Sequence, residues 1–144
     1  MKRTASLRYS LIGLTAMTLV FSCTKDKDDL KKPADRILGV WNIVKETEVT
    51  YNKTTGAYKD SSSVDIPQGL FTIDFRSNGN VYTRISENGQ IALDTFRYEL
   101  ENESLLLIDG DEYIINKFTN DHLITTDYYD DNTSNVKHTL EFKK

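Results

Sequence analysis

Beyond residue 39, apolar and polar residues alternate with a period of two, and no stretch holds a 3.6-residue period over three turns. The alternation is cleanest in Phe71-Thr72-Ile73-Asp74-Phe75. It predicts eight strands, at 40–51, 70–76, 81–86, 91–100, 105–108, 113–118, 123–129 and 136–142. Within 40–51 an unbroken alternation puts Trp41, Ile43, Val49 and Tyr51 on one side. Within 91–100 it puts Phe96, Tyr98 and Leu100 together. The breaks between strands carry turn residues: Ser77-Asn78-Gly79-Asn80, Asn88-Gly89, Glu101-Asn102-Glu103 and Asp109-Gly110-Asp111. Asn-Gly tolerates positive φ at little cost and suits a hairpin. The polar stretch 52–69, with Gly56, Ser61-Ser62-Ser63 and Pro67, has room for one extra short strand near 57–64. Before the strands, Pro33 to Leu38 fits one helical turn, with proline early and Gly39 to stop it.

Eight strands at this spacing predict an all-β sandwich or barrel. Short connections favour pairing between sequential strands, hence an antiparallel up-and-down meander. Left open, that sheet would expose two edges, so closure into a barrel is the physical preference.

The first 22 residues differ from the rest. Lys2, Arg3 and Arg8 form a positive region without an acid, followed by the apolar run 11–21. The run suits a signal peptide better than a spanning helix, which needs roughly 20 apolar residues. It ends at Val20-Phe21-Ser22-Cys23, which resembles a bacterial lipobox. The resemblance implies cleavage between Ser22 and Cys23 and lipidation of Cys23. A transmembrane anchor and an ordinary secretory signal with an incidental cysteine are the alternatives. The chain is thus divided into a signal peptide (1–22), a lipidated cysteine with a charged tether (23–35) and a β domain (36–144). The tether segment Lys25-Asp26-Lys27-Asp28-Asp29 resembles the acidic export signal of Bacteroidetes lipoproteins. That resemblance implies an outer-membrane location, lipid-anchored, with exposure at the surface.

Composition narrows the chemistry. The 144 residues carry a formal net charge of -4, and loss of three cationic side chains with the signal peptide would leave -7. An acidic chain lacks the basic face that a nucleic-acid partner requires. A single cysteine excludes an internal disulfide framework. His122 and His138 fall in different predicted strands, without a carboxylate or cysteine at ligand spacing, so no metal site is predicted. Neither Asp130-Asp131-Asn132 nor Asp109-Gly110-Asp111-Glu112 has the spacing of a calcium loop, and Ser61-Ser62-Ser63 lacks a nucleophile elbow. No catalytic residue and no cofactor is predicted, and the chain reads as a non-enzyme.

Leu38-Gly39-Val40-Trp41 resembles the Gly-x-Trp motif of lipocalins. Together with Phe71 to Phe75, Ser77 to Asn80, Tyr82, Phe96 and Tyr98, it resembles the compact lipocalin-like lipoproteins of Bacteroidetes over about residues 36–143. The resemblance implies an eight-stranded up-and-down barrel with Trp41 packed across its closed end, and Gly39 letting the chain come close. No counterpart of the family's late-strand arginine is evident. Thr126-Asp127-Tyr128 matches a family motif in letters, but falls in a predicted strand rather than a turn.

Eight strands enclose either a filled core or room for one small ligand. Phe71, Ile73, Phe75, Phe96, Tyr98, Leu100, Leu140 and Phe142 are the candidate inward positions. The 52–69 connection is the natural lid, with Tyr58 and Ile66 as its contacts. Two functions follow. One is the binding of a small apolar or amphipathic molecule in the barrel mouth. The other is a filled barrel presenting Tyr58, Tyr128 and Tyr129 to a glycan or protein partner, as an inhibitor or accessory subunit.

Overall fold

The computed structural model describes residues 31–144. Ser22, Cys23, the signal peptide and most of the tether lie outside them. The described part opens on a helical turn, α1 (Pro33–Ile37), with proline in its first turn. Nine strands follow: β1 (Gly39–Asn52), β2 (Tyr58–Asp65), β3 (Phe71–Phe75), β4 (Asn80–Glu87), β5 (Gln90–Glu101), β6 (Leu105–Ile108), β7 (Asp111–Phe118), β8 (His122–Asp130) and β9 (Ser134–Lys143). The helix starts at Pro33, ahead of the domain boundary drawn at residue 36, and Arg36 and Ile37 are buried.

Each strand from β3 to β8 pairs antiparallel with the next, and β9 pairs back onto β1 from Asn42↔Lys143 to Asn52↔Ser134. The expected eight-stranded barrel is therefore closed, in the strand order that the lipocalin resemblance implies. The ninth strand, β2, is an addition. The lower part of β1, Gly39 to Asn42, pairs with β3. The upper part, Lys45 to Tyr51, pairs with β2 along the same edge. The 52–69 segment is thus a strand laid on β1 rather than a lid over the mouth. β2 stands at the end of the strand order, and its residues are all exposed. Ser61-Ser62-Ser63 between Asp60 and Asp65 makes this edge a poor template for aggregation.

Two bulges set which side chains face inward. In β1 the register against β9 shifts between Ile43 and Lys45. One extra residue on one strand reverses the alternation beyond it. Trp41 and Ile43 face the interior, but above the bulge Val49 and Tyr51 turn outward. Glu46 and Glu48 turn inward, opposite Leu140 and His138. The unbroken alternation expected for this strand is corrected on that point. In β7 the register shifts between Ile115 and Lys117. The displaced Asn116 accepts a hydrogen bond from the Thr126 hydroxyl at 2.6 Å.

The turns are of two kinds. Asn88-Gly89 and Asp109-Gly110 have positive φ at both residues, the primed two-residue hairpin that fits the twist of paired strands. At Asn78-Gly79 only the glycine is left-handed. There Arg76 and Asn80 bracket a longer loop, with Arg76 N–H donating to Asn80 O at 2.9 Å.

The core collects at the closed end: Ile37, Trp41, Ile73, Phe75, Val81, Leu106, Ile115, Leu123 and Phe142. Burying each large apolar side chain contributes about 1.5–3 kcal/mol. Trp41 is fully buried, and its indole N–H donates to Ile37 O at 2.7 Å. Lys144, just past β9, sets its ammonium 4.5 Å from the Trp41 ring centroid and donates to the carbonyls of Arg36 and Leu38. Lys144, one residue beyond the last strand, thus covers the buried tryptophan with a cation. Arg36 ties α1 to the barrel by donating to Phe118 O at 2.9 Å, stacking over the Phe118 ring and pairing with Glu103.

Candidate functional site

Above this core the barrel is not filled. A cavity of about 250 Å³ is lined by Ile43, Ile73, Thr83, Phe96, Leu106, Ile108, Asp109, Asp111, Tyr113, Thr125, Leu140 and Phe142. Every one of the eight barrel strands contributes to it. Its wall is apolar on seven side chains. Thr83, Thr125, Tyr113, Asp109 and Asp111 interrupt it. Such a lining supplies affinity through burial and orientation through a few polar groups.

Of the inward positions expected from the sequence, Ile73, Phe96, Leu140 and Phe142 line this cavity. Phe75 does not. It is buried beneath, edge-on to Tyr98 at 4.9 Å between ring centroids. Tyr98 is not in the wall either, and its hydroxyl donates to Arg76 O at 2.9 Å. Leu100 packs against the core cluster opposite Leu106. Phe71 stands at the upper end of β3, paired with Ile85. Tyr58 and Ile66 are not lid contacts. Tyr58 lies against the ring of Tyr51, on the outer face, and the Ile66 amide donates to Val44 O at the β1 bulge. Gly39, at φ +101, begins β1 in a conformation that a side chain would strain, two residues before Trp41.

The next inward layer of β1, β8 and β9 carries charge instead of hydrocarbon. His138 sits between two carboxylates, with Nδ1 2.8 Å from Asp127 Oδ1 and Nε2 2.9 Å from Glu46 Oε1. Glu48 accepts a hydrogen bond from the Tyr129 hydroxyl at 2.6 Å. Ligand atoms of Glu46, Glu48 and His138 lie within 4.8 Å of one another. His138 and Asp127 are largely covered, whereas the Glu46 side chain is 43% exposed. The layer therefore forms a half-open rim.

The rim perturbs its tyrosines. The Tyr129 hydroxyl is pushed up to about 12, first by its hydrogen bond to Glu48, then by burial and by the charges of Glu48, Asp127 and Glu46. Tyr113, in the cavity wall, is raised chiefly by burial and then by Asp127 and Asp111.

Sequence reasoning missed this cluster because it treated β1 as an unbroken alternation and looked for ligands close in sequence. The Glu46-x-Glu48 pair was the available signal. Only the bulge turns it inward, and only closure onto β9 sets it beside His138. The three tyrosines expected to form one recognition surface divide: Tyr58 and Tyr128 face outward, and Tyr129 faces the rim.

No family model matches the chain, and no curated protein does. Among solved structures it is similar to two of bovine odorant binding protein. One is a deswapped triple mutant, at 15% identity and a TM-score of 0.41, covering 76% of this chain and 74% of that one. The other is a complex with a selenium-containing odorant, also at 15% identity and a TM-score of 0.41, covering 75% and 72%. The barrel described above rests on its own strand pairing, closed by β1 and β9.

Proposed function

We propose that this protein is a non-catalytic binding protein that holds one small, largely apolar molecule inside its barrel. The observation that carries the reading is the cavity of about 250 Å³, lined from all eight barrel strands and walled mainly by apolar side chains of β1, β3, β5, β6 and β9. An apolar cavity of ~150 Å³ takes a benzene, so this one suits a body of roughly ten heavy atoms. At ~0.7 kcal/mol per atom, such a ligand binds by about 7 kcal/mol, a Kd on the order of 10 μM. The ligand is thus a compact molecule and not a long acyl chain.

Calorimetric titration of the purified protein with 2-phenylethanol tests this. Wild-type protein binds one equivalent, and Thr83→Phe, which fills the cavity from β4, abolishes the heat. Equal binding by both proteins, or none by either, refutes the reading.

We further propose that the barrel is tethered to the outer membrane through lipid on Cys23, with the acidic segment behind it directing surface exposure. The lipobox-like Val20-Phe21-Ser22-Cys23 and the acidic segment 25–29 support this. The wild-type protein should partition into the detergent phase and incorporate labelled palmitate, and Cys23→Ser should do neither. A serine variant that keeps both properties overturns the anchor.

A further inference from the structure

We propose that the molecule this barrel takes carries a cationic nitrogen, which docks on Glu46, Glu48 and Asp127 while its apolar body fills the cavity below. The inference rests on the cavity reading and adds the chemical class of the ligand.

Three observations converge on it. The first is position. Thr125 and Leu140 line the cavity, and Asp127 and His138 stand two residues along the same faces of β8 and β9. Two residues of extended strand span ~6.7 Å, so a short alkyl spacer connects an apolar body in the cavity to a head group at the rim.

The second is charge. Glu46, Glu48 and Asp127 share this rim, and Asp109 and Asp111 extend the same sign into the cavity wall. Among the described residues, no lysine or arginine forms an ion pair with Glu46, Glu48 or Asp127. A half-open acidic rim over an apolar floor concentrates cations at the mouth.

The third is the hydrogen-bond inventory. Among the described residues, the Glu46 carboxylate meets His138 Nε2 and the Glu48 carboxylate meets the Tyr129 hydroxyl, each through Oε1 alone. The second oxygen of each carboxylate is left to accept from a positively charged donor. An ammonium has several N–H groups and satisfies Glu46 and Glu48 together. A bare metal ion fits less well. The 2.9 Å between His138 Nε2 and Glu46 Oε1 is hydrogen-bond spacing, shorter than the ~3.3 Å edge of a tetrahedral shell at 2.0–2.1 Å from the ion.

Calorimetry on the purified protein with three ligands sharing one phenyl body tests the proposal: 2-phenylethylamine, 2-phenylethanol and 3-phenylpropanoate. The amine should bind at least ten-fold tighter than the alcohol, and the carboxylate weaker than both. In the Glu46→Gln/Glu48→Gln variant, with its fold checked by circular dichroism, the amine should fall to the alcohol's affinity while the alcohol changes less than two-fold. Single variants at each position should lose part of the preference if the pair acts together. If amine and alcohol bind wild type equally, or the preference survives the double variant, the cationic assignment fails and the cavity reading stands. If no phenyl compound binds, the cavity reading itself fails. Stoichiometric binding of zinc chloride that depends on Glu46, Glu48 and His138, without any amine preference, would reassign the rim to a metal.

Discussion

Replacing Trp41 with phenylalanine tests how the closed end of the barrel is held. The indole is fully buried. Phenylalanine keeps an aromatic ring there but has no N–H, so the Ile37 carbonyl loses its 2.7 Å donor inside the core. An unpaired buried carbonyl costs about 1–2 kcal/mol. The smaller ring leaves a void of about 40 Å³, worth about 1 kcal/mol at ~24 cal/mol per Å³. The Lys144 ammonium also loses part of its aromatic platform, about 0.5 kcal/mol. Together these predict a loss of about 3 kcal/mol. With a urea m-value of ~1.5 kcal/mol/M, that moves the unfolding midpoint down by about 2 M. Circular dichroism and tyrosine fluorescence report it without the tryptophan signal. Lys144→Ala, alone and combined with Trp41→Phe, completes a cycle with a coupling of about 0.5–1 kcal/mol. A midpoint shift below ~0.5 M for the tryptophan variant would refute the argument that this hydrogen bond and this ring close the barrel.

Alkaline titration checks the rim. A tyrosine raised in the folded state contributes stability that is intact below its ordinary value near 10 and drains as pH climbs toward about 12. Glu48→Gln should return that late ionisation toward 10 in ultraviolet difference spectra, and Tyr129→Phe should remove it; an unchanged late step in both counts against the contact. Hydrogen exchange should find the β2 amides opening well before those of β8 and β9, because β2 is exposed and stands at the end of the strand order. Equal protection would mean that the added strand is integral to the barrel. Gly110→Ala meets no atom within 4 Å of its new Cβ, but it sits at φ +95. The cost should be about 1–2 kcal/mol in thermal unfolding, and a neutral result would show that the Asp109-Gly110 turn relaxes freely.

Much of the architecture is local and was legible in the residues. Period-two alternation placed the eight barrel strands, and the extra strand fell where 57–64 suggested it. Asn88-Gly89 and Asp109-Gly110 marked their hairpins because asparagine, aspartate and glycine accept the left-handed backbone that these turns require. Proline and glycine bracketed α1 for equally local reasons. Tertiary pairing decided the rest. Nothing within 40–51 marks the bulge near Val44, since it arises where β1 leaves β3, takes up β2 and runs on beside β9. That shift of one residue turned Val49 and Tyr51 out and Glu46 and Glu48 in. Phe75 and Leu100 had the right periodicity for the cavity but the wrong height, because barrel closure sets which layer lies beneath the cavity and which surrounds it. The order of strands is therefore a property of neighbouring residues. The acidic rim over an apolar floor is a property of register between strands roughly ninety residues apart in the chain, and side-chain periodicity carries no information about that distance.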